Sequence, residues 1–297
     1  MTNNQNFHLY LLLTLNMILW GGGWIANKLI VYEANIIVLT FWRFFITFLS
    51  LLPLLYFVKK PIVVTKKSLY ITFKGAILSM AFMIVAFLGV KQGFAGRAGV
   101  IITTLSPIIT FFLASLLFSF RLSRSQILGL FLGFIGGLML FEVWEFNFAQ
   151  ILNDGSLYFI ACAVIWSFVT IESQRASEYL EPFVYTIILT GIASFILFVF
   201  SLSLGIGVVF DKGIDFWFAL LYISILAQSV ANTIYYYTSP KLGSATTSSF
   251  LFIVPVTAIF FAWLILDEIP SIYLLIGGGV NLLALYIINK QKAKKLT

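Results

Sequence analysis

Asn16, Trp20, Gly23 and Asn27 follow one another at spacings of four, three and four residues in the first hydrophobic stretch of the chain. On an α-helix this spacing places all of them on one face. Cys162, Trp166, Thr170 and Ser173 form a similar stripe in a later stretch, and Gln228, Asn232 and Tyr235 or Tyr236 form a third. Amides and hydroxyls exchange hydrogen bonds, and indoles offer a flat apolar face. Such stripes suit the holding of a neutral or zwitterionic solute with an apolar part. Arg43 lies about eight residues into its own stretch, roughly 12 Å deep at 1.5 Å per residue. Two roles are open to it: binding a substrate carboxylate, or tying helices together through an acid or carbonyl groups.

Bond-breaking chemistry has little to work with. The chain holds one histidine, His8, at its start, and one cysteine, Cys162. A His-based triad, a multi-cysteine metal site and an internal disulfide are therefore excluded. We expect no enzyme, no cofactor and no metal. Glu172 stands three residues before Arg175, a spacing that suits an ordinary ion pair.

These stripes must be carried by elements that sit in lipid. Hydrophobic residues make up 61% of the chain, charged residues 10%, and the mean hydropathy is +1.04. A soluble domain carries roughly 25% charged residues, so this chain cannot cover itself for water. Ten stretches approach the ~20 apolar residues that a helix needs to cross a bilayer: 9–31, 35–58, 69–90, 96–119, 124–142, 155–173, 182–205, 215–238, 243–266 and 270–289. The first has no basic leader and reads as a retained span, not a signal peptide. The runs are continuous, whereas barrel strands alternate in polarity. The fold class predicted is an all-α integral membrane protein.

A second regularity orders the ten spans. At an offset of 148 positions, Pro107 falls on Pro255, Phe112 on Phe260, Ala114 on Ala262, Ser123 on Ser271 and Gly129 on Gly277. The chain thus reads as two five-helix repeats, residues 1–150 and 151–297. Five spans being odd, the second repeat must enter the membrane from the opposite side, an inverted duplication. With the N-terminus inside, thirteen of the 18 lysines and arginines fall on the cytoplasmic side and four outside, leaving Arg43 within a span. Basic residues concentrate in cytoplasmic loops, so both termini are expected in the cytoplasm. The lysines from Lys290 to Lys295 then read as a topology anchor and not as a nucleic-acid or lipid-binding patch.

The pattern resembles the EamA branch of the drug/metabolite transporter superfamily across essentially the whole chain. The resemblance is carried by Trp20 and Trp166 in the first helix of each half, by Arg43 in the second helix, and by Gly96-Arg97-Ala98-Gly99-Val100 followed by Pro107. Gly243-Ser244-Ala245-Thr246 followed by Pro255 is the second-half counterpart, and Glu268 matches the glutamate of the family's helix-end turn. Two departures stand out: Ser119-Phe120-Arg121-Leu122 lacks that acid, and Asp267 and Ile269 flank Glu268 in place of the family's glycine and arginine. The resemblance implies a secondary transporter.

Polar groups inside spans are functional candidates by default. Asn16, Trp20, Arg43, Trp166, Thr170, Gln228, Asn232 and Tyr235 are the predicted substrate-binding residues, although interhelical packing would also explain the tryptophans and an interhelical hydrogen bond the amides. Gly22, Gly23, Pro107 and Pro255 are the predicted packing or hinge positions. No span holds an acid near its middle, which weakens proton-coupled export of cations; one deep arginine falls short of a clamp for phosphorylated solutes. The expected function is export of amino acids or similar small metabolites by alternating access, in the inner (plasma) membrane. The expected partners are a small solute and the lipid bilayer, with no nucleic acid; a monomer is allowed and the oligomeric state is left open. The alternatives are a multidrug exporter of hydrophobic cations and a membrane protein that transports nothing.

Overall fold

The structure, a computed structural model, describes residues 3–57, 63–93, 95–118, 122–145, 155–266 and 269–294. Among them there is helix and no strand. Among the described residues the long apolar helices are ten: α1 (Asn3–Ile30), α2 (Ile36–Leu51), α3 (Lys66–Gln92), α4 (Ala95–Leu117), α5 (Arg124–Phe141), α6 (Ser156–Ala176), α7 (Pro182–Ser201), α8 (Ile214–Leu242), α9 and α10 (Ile272–Lys294). Helix α9 is built from Ser244–Ser249, a 3₁₀ segment Phe250–Ile253, and Val254–Leu266. Among the described residues nine of these are long and apolar enough to cross a membrane. The tenth, α2, has 16 residues, and a 3₁₀ segment of six residues, Leu52–Phe57, continues it. Pro53, which lacks the N–H that the α ladder needs, accounts for the change of winding. The two pieces together reach roughly 36 Å, enough to span. The acids Asp267 and Glu268, and Phe120 and Arg121 with their departure from the family turn, lie outside the described residues, as do Lys59, Lys60 and Lys295.

Helix starts follow local chemistry. Thr65 and Ser68 form a capping box at α3, and Ser123 and Gln126 form one at α5, each satisfying orphan N–H groups. Ser271, the repeat partner of Ser123, accepts from the Leu274 N–H at the start of α10 (3.2 Å). The outer surface is apolar: Phe112 is 61% exposed and its repeat partner Phe260 50%, in keeping with side chains that face lipid.

The halves interlock instead of sitting side by side. Helix α1 packs on α8 and α9 of the second repeat, and α6 packs on α3 and α4 of the first. Helices α2 and α7 pair, as do α5 and α10. Every one of these relations is matched by its repeat counterpart, which is what an inverted duplication requires. The α5–α10 seam depends on glycine: a Cβ at Gly136 would meet Asn281 Oδ1 and the Gly277 carbonyl, and one at Gly277 would meet the Gly136 carbonyl. Gly22 likewise accommodates the Tyr222 hydroxyl, which donates to the Leu19 carbonyl at 3.0 Å.

Candidate solute cavity

A cavity of about 70 Å³ lies where the two repeats meet. It would hold roughly five waters, at 10–15 Å³ for each. Its wall takes Trp20, Trp24 and Asn27 from α1, Arg43 from α2, Phe82 and Met83 from α3 and Thr103 from α4. The second repeat supplies Trp166 from α6, Ala227 and Asn232 from α8, and Leu251 and Val254 from α9. In α1, α3 and α4 these residues lie in the half farther from the chain ends. Toward the end of the bundle that carries both termini, the interior is filled: Leu13, Asn16, Met17, Tyr235 and Ser239 are all fully buried.

One charged side chain, Arg43, is part of the wall. It is 5% exposed. Its Nε donates to Gln228 Oε1 at 2.6 Å and its Nη1 to Asn27 Oδ1 at 2.8 Å. Both partners are neutral amides, and among the described residues no carboxylate reaches ion-pair distance of the guanidinium. The helix that presents Gln228 is irregular: Tyr222–Val230 winds as a π-helix inside α8. Its carbonyls accept from other helices, Ala227 from Trp20 Nε1 (2.8 Å) and Ser224 from Thr47 Oγ1 (2.9 Å). Irregular backbone within a membrane is tolerated where protein groups or a cavity satisfy it, and π segments are frequent at functional sites.

An aromatic layer floors the cavity. Trp20 and Trp166 meet edge to face with centroids 5.1 Å apart, Tyr235 lies 5.1 Å from Trp20 and 5.6 Å from Trp166, and Phe82 lies 4.8 Å from Trp166. The Tyr235 and Thr170 hydroxyls are 3.1 Å apart. Trp166 Nε1 is buried and, among the described residues, makes no hydrogen bond. Among the described residues no three His, Cys, Asp or Glu side chains gather where a metal ion would sit.

The profile of the EamA-like transporter family matches residues 8–141 and again residues 153–290. The chain belongs to that family. Its similarity to the "Uncharacterized transporter" of Archaeoglobus fulgidus is 24% identity over 291 residues, covering 97% of this chain and 99% of that one. YoaV of Bacillus subtilis, also named a transporter, is 21% identical over 263 residues, 88% of this chain and 89% of its own. A chloroplastic WAT1-related protein of Arabidopsis thaliana is 29% identical over 209 residues; that match spans 68% of this chain and half (50%) of the plant protein. A crystal structure shares the fold at a TM-score of 0.74 and 17% identity, over 96% of this chain and 98% of the other. The protein is thus a multi-pass member of a membrane transporter family, with a small-molecule solute as its implied cargo.

Within this EamA-type bundle the predicted residues separate into two groups. Trp20, Gly23, Arg43, Trp166 and Asn232 border the cavity. Gln228 stands behind Arg43, Thr170 and Tyr235 stand beneath the tryptophans, and Asn16 is sealed one turn further toward the chain ends, its amide reaching no protein partner. Pro107 sits in an unbroken α4, whereas Pro255 is the second residue after the 3₁₀ segment of α9. Trp24, Phe82, Met83, Thr103, Leu251 and Val254 were not anticipated. Trp24 was within reach, four residues after Trp20 on the same stripe. Phe82, Met83, Leu251 and Val254 carry no polar signal that marks them out in an apolar sequence, and Thr103 is one of many hydroxyl residues within the spans.

Proposed function

We propose that this EamA-type protein moves amino acids or similar small metabolites through the cavity between its repeats by alternating access. The observation that carries this reading is the wall itself: both repeats contribute to it, it is mostly aromatic and aliphatic, and Arg43, Asn27 and Asn232 are its few strongly polar side chains. Ligand sites are built this way, with an apolar lining that buries area and a few polar groups that fix orientation. A cationic solute would face Arg43 with no wall carboxylate to neutralise it, which disfavours the multidrug reading. The basic residues favour an inner-membrane orientation with both termini in the cytoplasm.

Proteoliposomes holding the purified chain would test this. Labelled amino acids and organic acids should enter down a gradient faster than into protein-free vesicles. No flux across a broad metabolite panel removes the proposal.

A further inference from the structure

The cavity carries a charge without a counter-charge. A buried ion inside a membrane protein is stable when paired or thoroughly hydrogen-bonded. Arg43 has only part of this. A guanidinium offers five N–H donors in a planar fork, and Asn27 and Gln228 take one each. Neither amide removes the positive charge. The two bonds do something else: they hold the guanidinium from α1 and α8 and, among the described residues, leave three of its five N–H donors without a protein partner in the cavity wall. A planar fork held in this way matches a carboxylate.

Besides the arginine, the wall contains tryptophan, phenylalanine, methionine and the Asn27 and Asn232 amides, and no acid. A solute ammonium would therefore meet no counter-charge there, whereas an aromatic or aliphatic body would be covered on several sides. We infer that Arg43, held between Asn27 and Gln228, is a carboxylate subsite, and that the solutes are monocarboxylates with an apolar or aromatic body whose amino group is dispensable. This rests on the transport reading above and narrows its substrate class, from zwitterions in general to solutes recognised through their acid end. One fixed positive charge neutralises one carboxylate, so dianions fit poorly.

The test uses the full chain in lipid nanodiscs and four compounds on one scaffold: 3-phenylpropanoate, phenylalanine, phenylalaninamide and phenethylamine. Binding is read from thermal shift and from the fluorescence of the cavity tryptophans, flux from proteoliposomes. Both acids should bind, and the amide and the amine should not. Arg43→Gln should weaken both acids by about tenfold or more, the worth of a lost charge-assisted hydrogen bond. Binding of the amide or amine as tight as that of the acids overturns the subsite, as does silence from both acids. Because these readouts come from the unaltered chain, poor folding of Arg43→Gln leaves the proposal falsifiable. Acids that bind while no solute crosses would leave the subsite standing and remove the transport reading; amines that bind and cross would do the reverse.

Discussion

The indole N–H of Trp20 donates to the backbone carbonyl of Ala227 at 2.8 Å, joining the first helix of one repeat to the π-helical turn of the other. The bond satisfies a carbonyl at the irregular turn and sets the edge-to-face angle at which Trp20 meets Trp166. Trp20→Phe keeps a ring and deletes the donor. We expect it to fold with a stability loss of about 1 kcal/mol, the net worth of a neutral hydrogen bond, and to lower flux about fivefold, the rate equivalent of the same energy. Trp20→Ala removes the ring as well and should cost about 3 kcal/mol. Thermal unfolding in detergent and proteoliposome flux measure both; normal flux in Trp20→Phe would reduce Trp20 to packing.

What the sequence could reveal of this site depended on periodicity. The stripe Asn16, Trp20, Gly23, Asn27 is local, so its shared face is visible in the chain, and its likeness to the stripe Cys162, Trp166, Thr170, Ser173 adds that Trp20 and Trp166 are counterparts. Their contact at 5.1 Å follows once the halves interlock. Arg43 was different. Its partners Asn27 and Gln228 lie 16 and 185 positions away, on helices whose relative rotation no spacing sets. The sequence left it to choose between an acid, carbonyls and a substrate; the structure gives it two amides. Nor was the π segment readable, because Tyr222–Val230 has the composition of an ordinary apolar helix. That extra winding changes the register between Gln228 and Asn232, turning the first onto Arg43 and leaving the second at the cavity wall.

Near the end of the bundle that carries the termini, Glu172 is reached by Lys74 at 2.9 Å and by Arg175 at 3.4 Å, joining α6 to α3. The Arg175 contact is the expected one, three residues along the helix; the shorter contact comes from across the bundle. The glutamate side chain is 6% exposed and the cations 40% and 36%, so solvent screens each pair and either cation can substitute for the other. Lys74→Ala or Arg175→Ala alone should change stability by less than about 1 kcal/mol. The double variant strands a buried carboxylate and should lose more than the two singles combined. Additive losses on thermal unfolding would show that Glu172 needs neither.

The glycines of α5 and α10 invite a contrast between two positions two residues apart, on opposite faces of α10. Gly277 faces the Gly136 carbonyl and Leu140, whereas a Cβ at Gly279 meets nothing within 4 Å. Gly277→Ala must push α5 and α10 apart and should destabilise by about 2 kcal/mol, in the range of overpacked cores. Gly279→Ala should be neutral or stabilising by up to about 1 kcal/mol, since alanine is the better helix former. Equal effects at both positions would mean that the seam is looser than the backbone approach indicates.

Helix α1 also carries the most direct test of alternating access. Asn16 and Ser239 are fully buried in the filled half of the bundle, and neither side chain's free amide or hydroxyl reaches a protein partner. Leaving a polar group unpaired in a packed interior costs about 1–3 kcal/mol, which is unfavourable in this conformation and becomes favourable once water reaches the group. A state open toward the chain ends supplies that water, and its polar lining would be Asn16 and Ser239. The native Cys162 is fully buried, so single cysteines can be read against a quiet background. Asn232→Cys should react with an impermeant thiol reagent added to the face opposite the chain ends. Asn16→Cys and Ser239→Cys should stay protected from that face, and react from the face of the chain ends at a rate that rises when solute is present. Protection of both from both faces, in a variant that still transports, would place the route elsewhere in the bundle.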